Sequence, residues 1–163
     1  MQEFKGDLKG LHIAYVGDAN NVANSWIEAS LLLGFTLSIA SPEKYGPTPD
    51  MMERIRSSGT ISVTGSPAEA VRGADVVNTD VWVSMGMEKE KKERKKAFEG
   101  FIVNDALMAH ARPDAIVLHC LPAHKNEEIS EGVFERFQHV IFTQAENRLH
   151  AQKALMEWLL KEV

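Results

Sequence analysis

Along the chain, short apolar runs alternate with segments whose apolar positions recur at three and four residue steps. Leu11 to Val16 (LHIAYV) is a run of strand formers that stops at Gly17-Asp18, a turn signal, and reads as a buried strand. Asn20 to Asn24 then supply cap residues, and Trp26, Ala29, Ser30 and Leu33 mark one face of a helix that Gly34 ends. Phe35 to Ala40 (FTLSIA) predicts a second strand, closed by Ser41-Pro42 and a Gly/Pro-rich stretch, and Met51 to Ser57 a short helix. Thr60 to Thr64 is a third strand, and Ser66-Pro67-Ala68-Glu69 has the cap and first-turn proline of a helix start. Ala74 to Thr79 is a fourth strand, Ala115 to Leu118 a fifth and His139 to Phe142 (HVIF) a sixth. A last helix is expected from Arg148 to Leu160, with Leu149, Gln152, Leu155 and Leu159 on one side.

Strands that are apolar throughout, alternating with helical patterns, indicate a parallel sheet covered on both faces. The fold class is therefore α/β: one doubly wound, Rossmann-like three-layer domain over residues 1–163, its sheet mainly parallel. Such sheets place ligands outside the carboxyl ends of their strands. The segments there are Gly17 to Asn21, the turn after Ala40, Asp80 to Gly86, His119 to Pro122 and the stretch around Glu146 to Arg148.

Composition narrows the function. The 163 residues are 44% hydrophobic and 25% charged, enough for a buried core and against disorder. A formal net charge of -5 disfavours nucleic-acid and anionic-membrane partners and favours small molecules. The single cysteine, Cys120, excludes an intrachain disulfide and suits a reducing cytoplasm. The first residues carry charges where a signal peptide needs its apolar core, and no apolar run reaches the ~18 residues of a membrane span.

Taken singly, the polar residues at the strand ends have ordinary explanations. The turn Gly17-Asp18-Ala19-Asn20-Asn21 lacks the glycines of a dinucleotide fingerprint, because Ala19 and Val22 stand where close approach to a pyrophosphate requires Gly. Asn20 and Asn21 serve equally as turn and cap residues or as amides for a zwitterion's carboxylate. One Cys beside His119 and His124, with no second close pair, is a poor zinc set, and a Cys at the tail of an apolar strand is ordinarily a small buried filler. Asp80 follows a buried strand, where a carboxylate needs a partner, a ligand or a helix to cap. Arg148 has the default of a surface ion pair, and the run Glu88 to Lys96 that of a solvated helix.

Taken together, Gly17-Asp-Ala-Asn-Asn21, Asp80-Val-Trp-Val-Ser-Met-Gly86, His119-Cys-Leu-Pro122 and Glu146-Asn-Arg148 resemble, in wording, order and spacing, the second half of the transcarbamoylases, specifically the ornithine carbamoyltransferase family. The resemblance spans nearly the whole chain, with Ala19 a mild departure in the first turn. It implies transfer of a carbamoyl group from carbamoyl phosphate to the δ-amine of L-ornithine, giving citrulline and phosphate, without metal or organic cofactor. By matching motif positions, Asn21, Asp80, Ser84 and Met85 are expected to bind ornithine, and Cys120, Leu121 and Arg148 to lie on the carbamoyl phosphate side. Asp80, Cys120 and Arg148 are the expected catalytic residues: Asp80 aligning the amine, Cys120 accepting or relaying its proton, and Arg148 countering charge on the carbamoyl group.

The family's first domain carries Ser-x-Arg-Thr and His-Pro-x-Gln strings, and neither occurs here. The resemblance thus implies an ornithine-binding half without its carbamoyl phosphate domain, with little transferase activity by itself. Residues 149–163 are expected as a helix that packs on the absent domain, and homo-oligomers belong to the complete enzyme. A transcarbamoylase with another amine acceptor, such as putrescine, and a noncatalytic dinucleotide-binding module are the competing readings.

Overall fold

The computed structural model describes residues 1–83 and 88–161. Five strands, β1 (His12–Val16), β2 (Thr36–Ala40), β3 (Ile61–Thr64), β4 (Val76–Thr79) and β5 (Ile116–His119), form one sheet in the order β3-β2-β1-β4-β5. Every pairing is parallel. The helices are α1 (Gln2–Lys5), α2 (Asn21–Leu33), α3 (Pro49–Ser58), α4 (Pro67–Val71), α5 (Lys91–Ala97), α6 (Asp105–Met108) and α7 (Glu131–Lys161).

Strand side chains alternate between two cores. Ile13, Tyr15, Val76, Ile116 and Leu118 meet Ala23, Ile27 and Ile55 from α2 and α3 on one face. Ala14, Val16, Val77 and Val117 meet Ala70, Val71, Phe98 and Leu107 on the other. This is the period-two pattern of a sheet buried on both faces, and it confirms the three-layer α/β class. The local signals act as expected: Asn20 caps α2 by accepting from Val22 N–H, and Gly34 ends it at φ 74°. Ser66 caps α4 by accepting from Glu69 N–H, with Pro67 in the first turn.

Two expectations need correction. His139 to Phe142 is not a sixth strand, and no separate helix starts at Arg148: α7 runs unbroken from Glu131 to Lys161. A four-residue apolar run does not by itself separate strand from buried helix. Val133, Phe137, Val140 and Ile141 form a helical stripe, and no Gly or Pro interrupts the chain from Val133 to Lys161. Val133 and Ile141 enter one core, Val140 the other, and Phe137 packs on both. The helix also covers the outer edge of β5, where Gln144 Oε1 accepts the His119 N–H at 3.0 Å.

The charged run also departs from a fully solvated helix. Arg94, in its middle, is only 6% exposed. Its Nη1 donates to Asp18 Oδ2 at 2.7 Å and to the Trp82 carbonyl at 3.0 Å, and its guanidinium lies over the Tyr45 ring. Burial pushes the Asp18 carboxyl up against the pull of Arg94. The pair ties α5 to the first βα turn.

Candidate functional site

The sheet order reverses its winding between β1 and β4, and the crevice outside their carboxyl ends is where such folds bind ligands. Thr79 Oγ1 donates to the Val16 carbonyl at 2.7 Å, fixing the two strand ends together. Gly17 follows at φ 150°, with the Asp80 carbonyl and the Thr79 hydroxyl against its α-carbon face. Tyr15 donates its hydroxyl to the Asp18 carbonyl at 2.8 Å from beneath. Burial, reinforced by the neighbouring Asp80, Asp18 and Cys120, raises the Tyr15 phenol well above its ordinary value, so the hydroxyl stays a donor.

A cavity of about 480 Å³ opens here. One wall is the α2 face Asn21, Val22, Ser25, Trp26 and Ala29; Asn78 and Asp80 come from the end of β4, Cys120 from the end of β5, and Gln144 and Arg148 from α7. Four of the expected residues, Asn21, Asp80, Cys120 and Arg148, thus meet around one space. The pairwise geometry is close. Cys120 Sγ donates to Asp80 Oδ1 at 3.1 Å, and that oxygen also accepts Val81 N–H at 2.8 Å. Arg148 Nη1 reaches the Cys120 carbonyl at 3.4 Å.

The other expected residues fare differently. Leu121 lies outside the cavity wall; it packs partly against the core, at φ 58°, with its N–H donated to His119 Nδ1 at 3.0 Å. Ser84 and Met85 lie outside the described residues. Of the Glu146-Asn147-Arg148 string, only Arg148 enters this cavity: Glu146 pairs with His150, and Asn147 donates to Glu3.

Cys120 is held as a thiol. Burial first, then the hydrogen bond and charge of Asp80, push it from 9.0 up to about 12, although Arg148 pulls the other way. At neutral pH it is a donor to Asp80 and not a resting base, which goes against its accepting the substrate's proton but not against its relaying one. Asp80, His119 and Cys120 bring ligand atoms within 4.8 Å of one another. Both His119 nitrogens are already engaged, Nδ1 with Leu121 N–H and Nε2 with Glu128, which leaves two donors and makes this a hydrogen-bonded cluster, not a zinc set.

Sequence reasoning missed Gln144, Asn78 and the Asp18–Arg94 pair. Gln144 was hidden by the assignment of its segment to strand and loop. Asp18 carried a signal close to that of Asp80, a carboxylate in the turn that ends a buried strand.

A parallel five-stranded α/β sheet, with carboxylate, thiol and guanidinium gathered at its switch point, defines a domain of the Rossmann-like class. The chain belongs to the family described as aspartate/ornithine carbamoyltransferase, Asp/Orn binding domain, whose model matches residues 9–159. Over 161 residues it is 53% identical to the ornithine carbamoyltransferase of Geobacter sulfurreducens, an alignment covering 98% of this chain and 53% of that protein. The anabolic ornithine carbamoyltransferase of Campylobacter jejuni superposes with a TM-score of 0.90 at 41% identity, over 99% of this chain and 56% of that one. The enzyme from Pyrococcus furiosus does so at 0.86 and 45%, over 95% and 51%. The chain spans about half the length of the curated relatives it matches.

Proposed function

We propose that this chain is the ornithine side of an ornithine carbamoyltransferase, acting with a carbamoyl phosphate-binding half to convert L-ornithine and carbamoyl phosphate into L-citrulline and phosphate in a reducing cytoplasm, as a step of arginine biosynthesis. The observation that carries this is the convergence of Asn21, Asp80, Cys120 and Arg148 on one cavity at the switch point of a domain of this family.

The chemistry follows from the groups present. The δ-amine of ornithine is protonated in water and must give that proton to solvent before it attacks a carbonyl, which costs several kcal/mol at neutral pH. As the new C–N bond forms and the C–O bond to phosphate breaks, the departing phosphate takes the second N–H proton. Asp80, as an anion, favours the charged amine, so it binds and aligns the δ-nitrogen without lowering its pKa. Cys120 donates to Asp80 and thereby orients that carboxylate; its thiol takes no covalent part. Asn21, with Ser84 and Met85, is assigned the α-amino and α-carboxylate end. Arg148 supplies a fixed cation on the side where charge moves to the carbamoyl oxygen and then to departing phosphate. It is the one lysine or arginine in the wall of this cavity among the described residues, too few for a dianion, so the phosphate is to be held by the other half and this chain alone turns over little substrate.

Beyond Arg148, α7 exposes Leu149, Leu155, Met156, Trp158, Leu159 and Leu160, each more than half exposed. We assign this apolar stretch to contact with the carbamoyl phosphate-binding half, and the oligomer of the complete enzyme to surfaces that half supplies.

Calorimetric titration separates the readings. L-ornithine is expected to bind the wild-type chain and to lose at least about tenfold in affinity on Asp80→Ala, the cost of one charge-assisted hydrogen bond. Preferential binding of putrescine would reassign the amine acceptor, and binding of NAD with none of either amine would replace the transferase reading by a dinucleotide module.

A further inference from the structure

Neither substrate binding nor core packing accounts for a carboxylate that is fully buried nine residues beyond His119. Glu128 and His119 both have no exposed side-chain surface. His119 Nε2 and Glu128 Oε1 lie 3.2 Å apart, and the same oxygen accepts the backbone N–H of His124 at 2.5 Å. On the opposite side of the ring, His119 Nδ1 accepts Leu121 N–H at 3.0 Å. A ring nitrogen that accepts carries no proton, so the hydrogen of this imidazole sits on Nε2, where Glu128 takes it.

We propose that Glu128 is a positioning residue: it fixes His119 as the Nε2–H tautomer, so that Nδ1 holds Leu121 N–H and sets the turn that presents Cys120 to Asp80. Its importance for catalysis rests on the ornithine carbamoyltransferase reading above; its geometry does not. Leu121 has φ 58°, a left-handed backbone that residues with a side chain seldom adopt, and the bond to His119 is what its N–H finds there. Directly before it, Cys120 has its thiol on Asp80 and its carbonyl toward Arg148. Were the ring proton on Nδ1 instead, it would face Leu121 N–H donor to donor, and the turn would open.

Glu128 Oε2 is buried without a hydrogen-bond partner, 3.8 Å from His124 Nδ1. A glutamine can therefore keep its oxygen at the Oε1 position and place its NH2 at Oε2, preserving the tautomer, whereas methionine fills the space with no acceptor.

Long-range proton–nitrogen NMR of the labelled chain at neutral pH reads the His119 tautomer directly. Wild type and Glu128→Gln are expected to show hydrogen on Nε2 and a bare Nδ1. Glu128→Met is expected to show both tautomers, with Cys120 alkylated by iodoacetamide about tenfold faster as the thiol leaves Asp80. An Nδ1–H imidazole in the wild type, a mixture in Glu128→Gln, or a folded Glu128→Met with a single tautomer or an unchanged thiol rate overturns the proposal. If Glu128→Met does not fold, the wild-type and Glu128→Gln spectra decide. No ornithine is present in this experiment, so a chain that shows the tautomer but binds no ornithine refutes the cavity reading and leaves the positioning role standing.

Discussion

At the residue scale, the site is defined by what each group is prevented from doing. Cys120 sits beside an imidazole and a guanidinium, a setting in which a cysteine is easily read as a nucleophile or base, yet burial and Asp80 hold it protonated up to about 12. Only the thiolate is alkylated, so the rate with iodoacetamide should be far below that of an ordinary thiol at pH 8 and should still climb with pH where an unperturbed thiol, near 9.0, has levelled off. Asp80→Asn removes the neighbouring charge, lowers the thiol's pKa and moves the whole curve to lower pH. A wild-type rate matching that of a small free thiol at pH 8 contradicts this picture. Asp80 and Cys120 were legible in the sequence because each ends a buried strand. Glu128 was not legible as part of the site, because its burial against His119 appears only in the fold. Asp18 showed a strand-end carboxylate, but its partner Arg94 is 76 residues away and lay hidden in the charged run.

At the scale of elements, the strands were readable because apolar runs bounded by Gly, Pro and Asp coincide with buried strand interiors, as in Leu11 to Val16 against β1. The segment after β5 was misread because His139 to Phe142 satisfies the strand pattern locally, and only the longer stripe from Val133 to Ile141 shows the helix. For α5 the charge run concealed an anchor. Its solvent face is as the pattern implies, but Arg94 reaches inward to Asp18 and to the Trp82 carbonyl, the described residue two positions before Ser84. Arg94→Met removes one partner of a buried pair and is expected to cost about 3–5 kcal/mol in chemical denaturation, a large share of a domain's stability. The sign with pH follows from Asp18. Burial pushes its carboxyl up and Arg94 is the group that pulls it down, so without Arg94 the folded Asp18 carboxyl rises further. The deficit of Arg94→Met is fully present where Asp18 is ionised in both proteins. It shrinks as the pH falls through the variant's raised range, where Asp18 takes a proton and no longer needs its partner. A loss under about 1 kcal/mol, typical of an exposed pair, contradicts the anchoring role.

At the scale of the molecule, the parallel sheet and its carboxyl-end crevice follow from the chain's alternation of apolar strands and amphipathic helices, and the order β3-β2-β1-β4-β5 places the crevice between β1 and β4. Arg148 was placed at that crevice by the sequence, but the element that carries it was not legible, because α7 reaches there, with Gln144, as one long helix that crosses the edge of β5. Ornithine is expected to occupy this cavity. Titrating L-ornithine into the isotopically labelled chain and following backbone and side-chain NMR signals tests it most directly. The account predicts saturable shifts centred on Asn21, Asp80, Cys120 and Arg148. Shifts centred instead on the cavity at the opposite end of the sheet, around Arg112 and Arg136, or no shifts at millimolar ornithine, would contradict it.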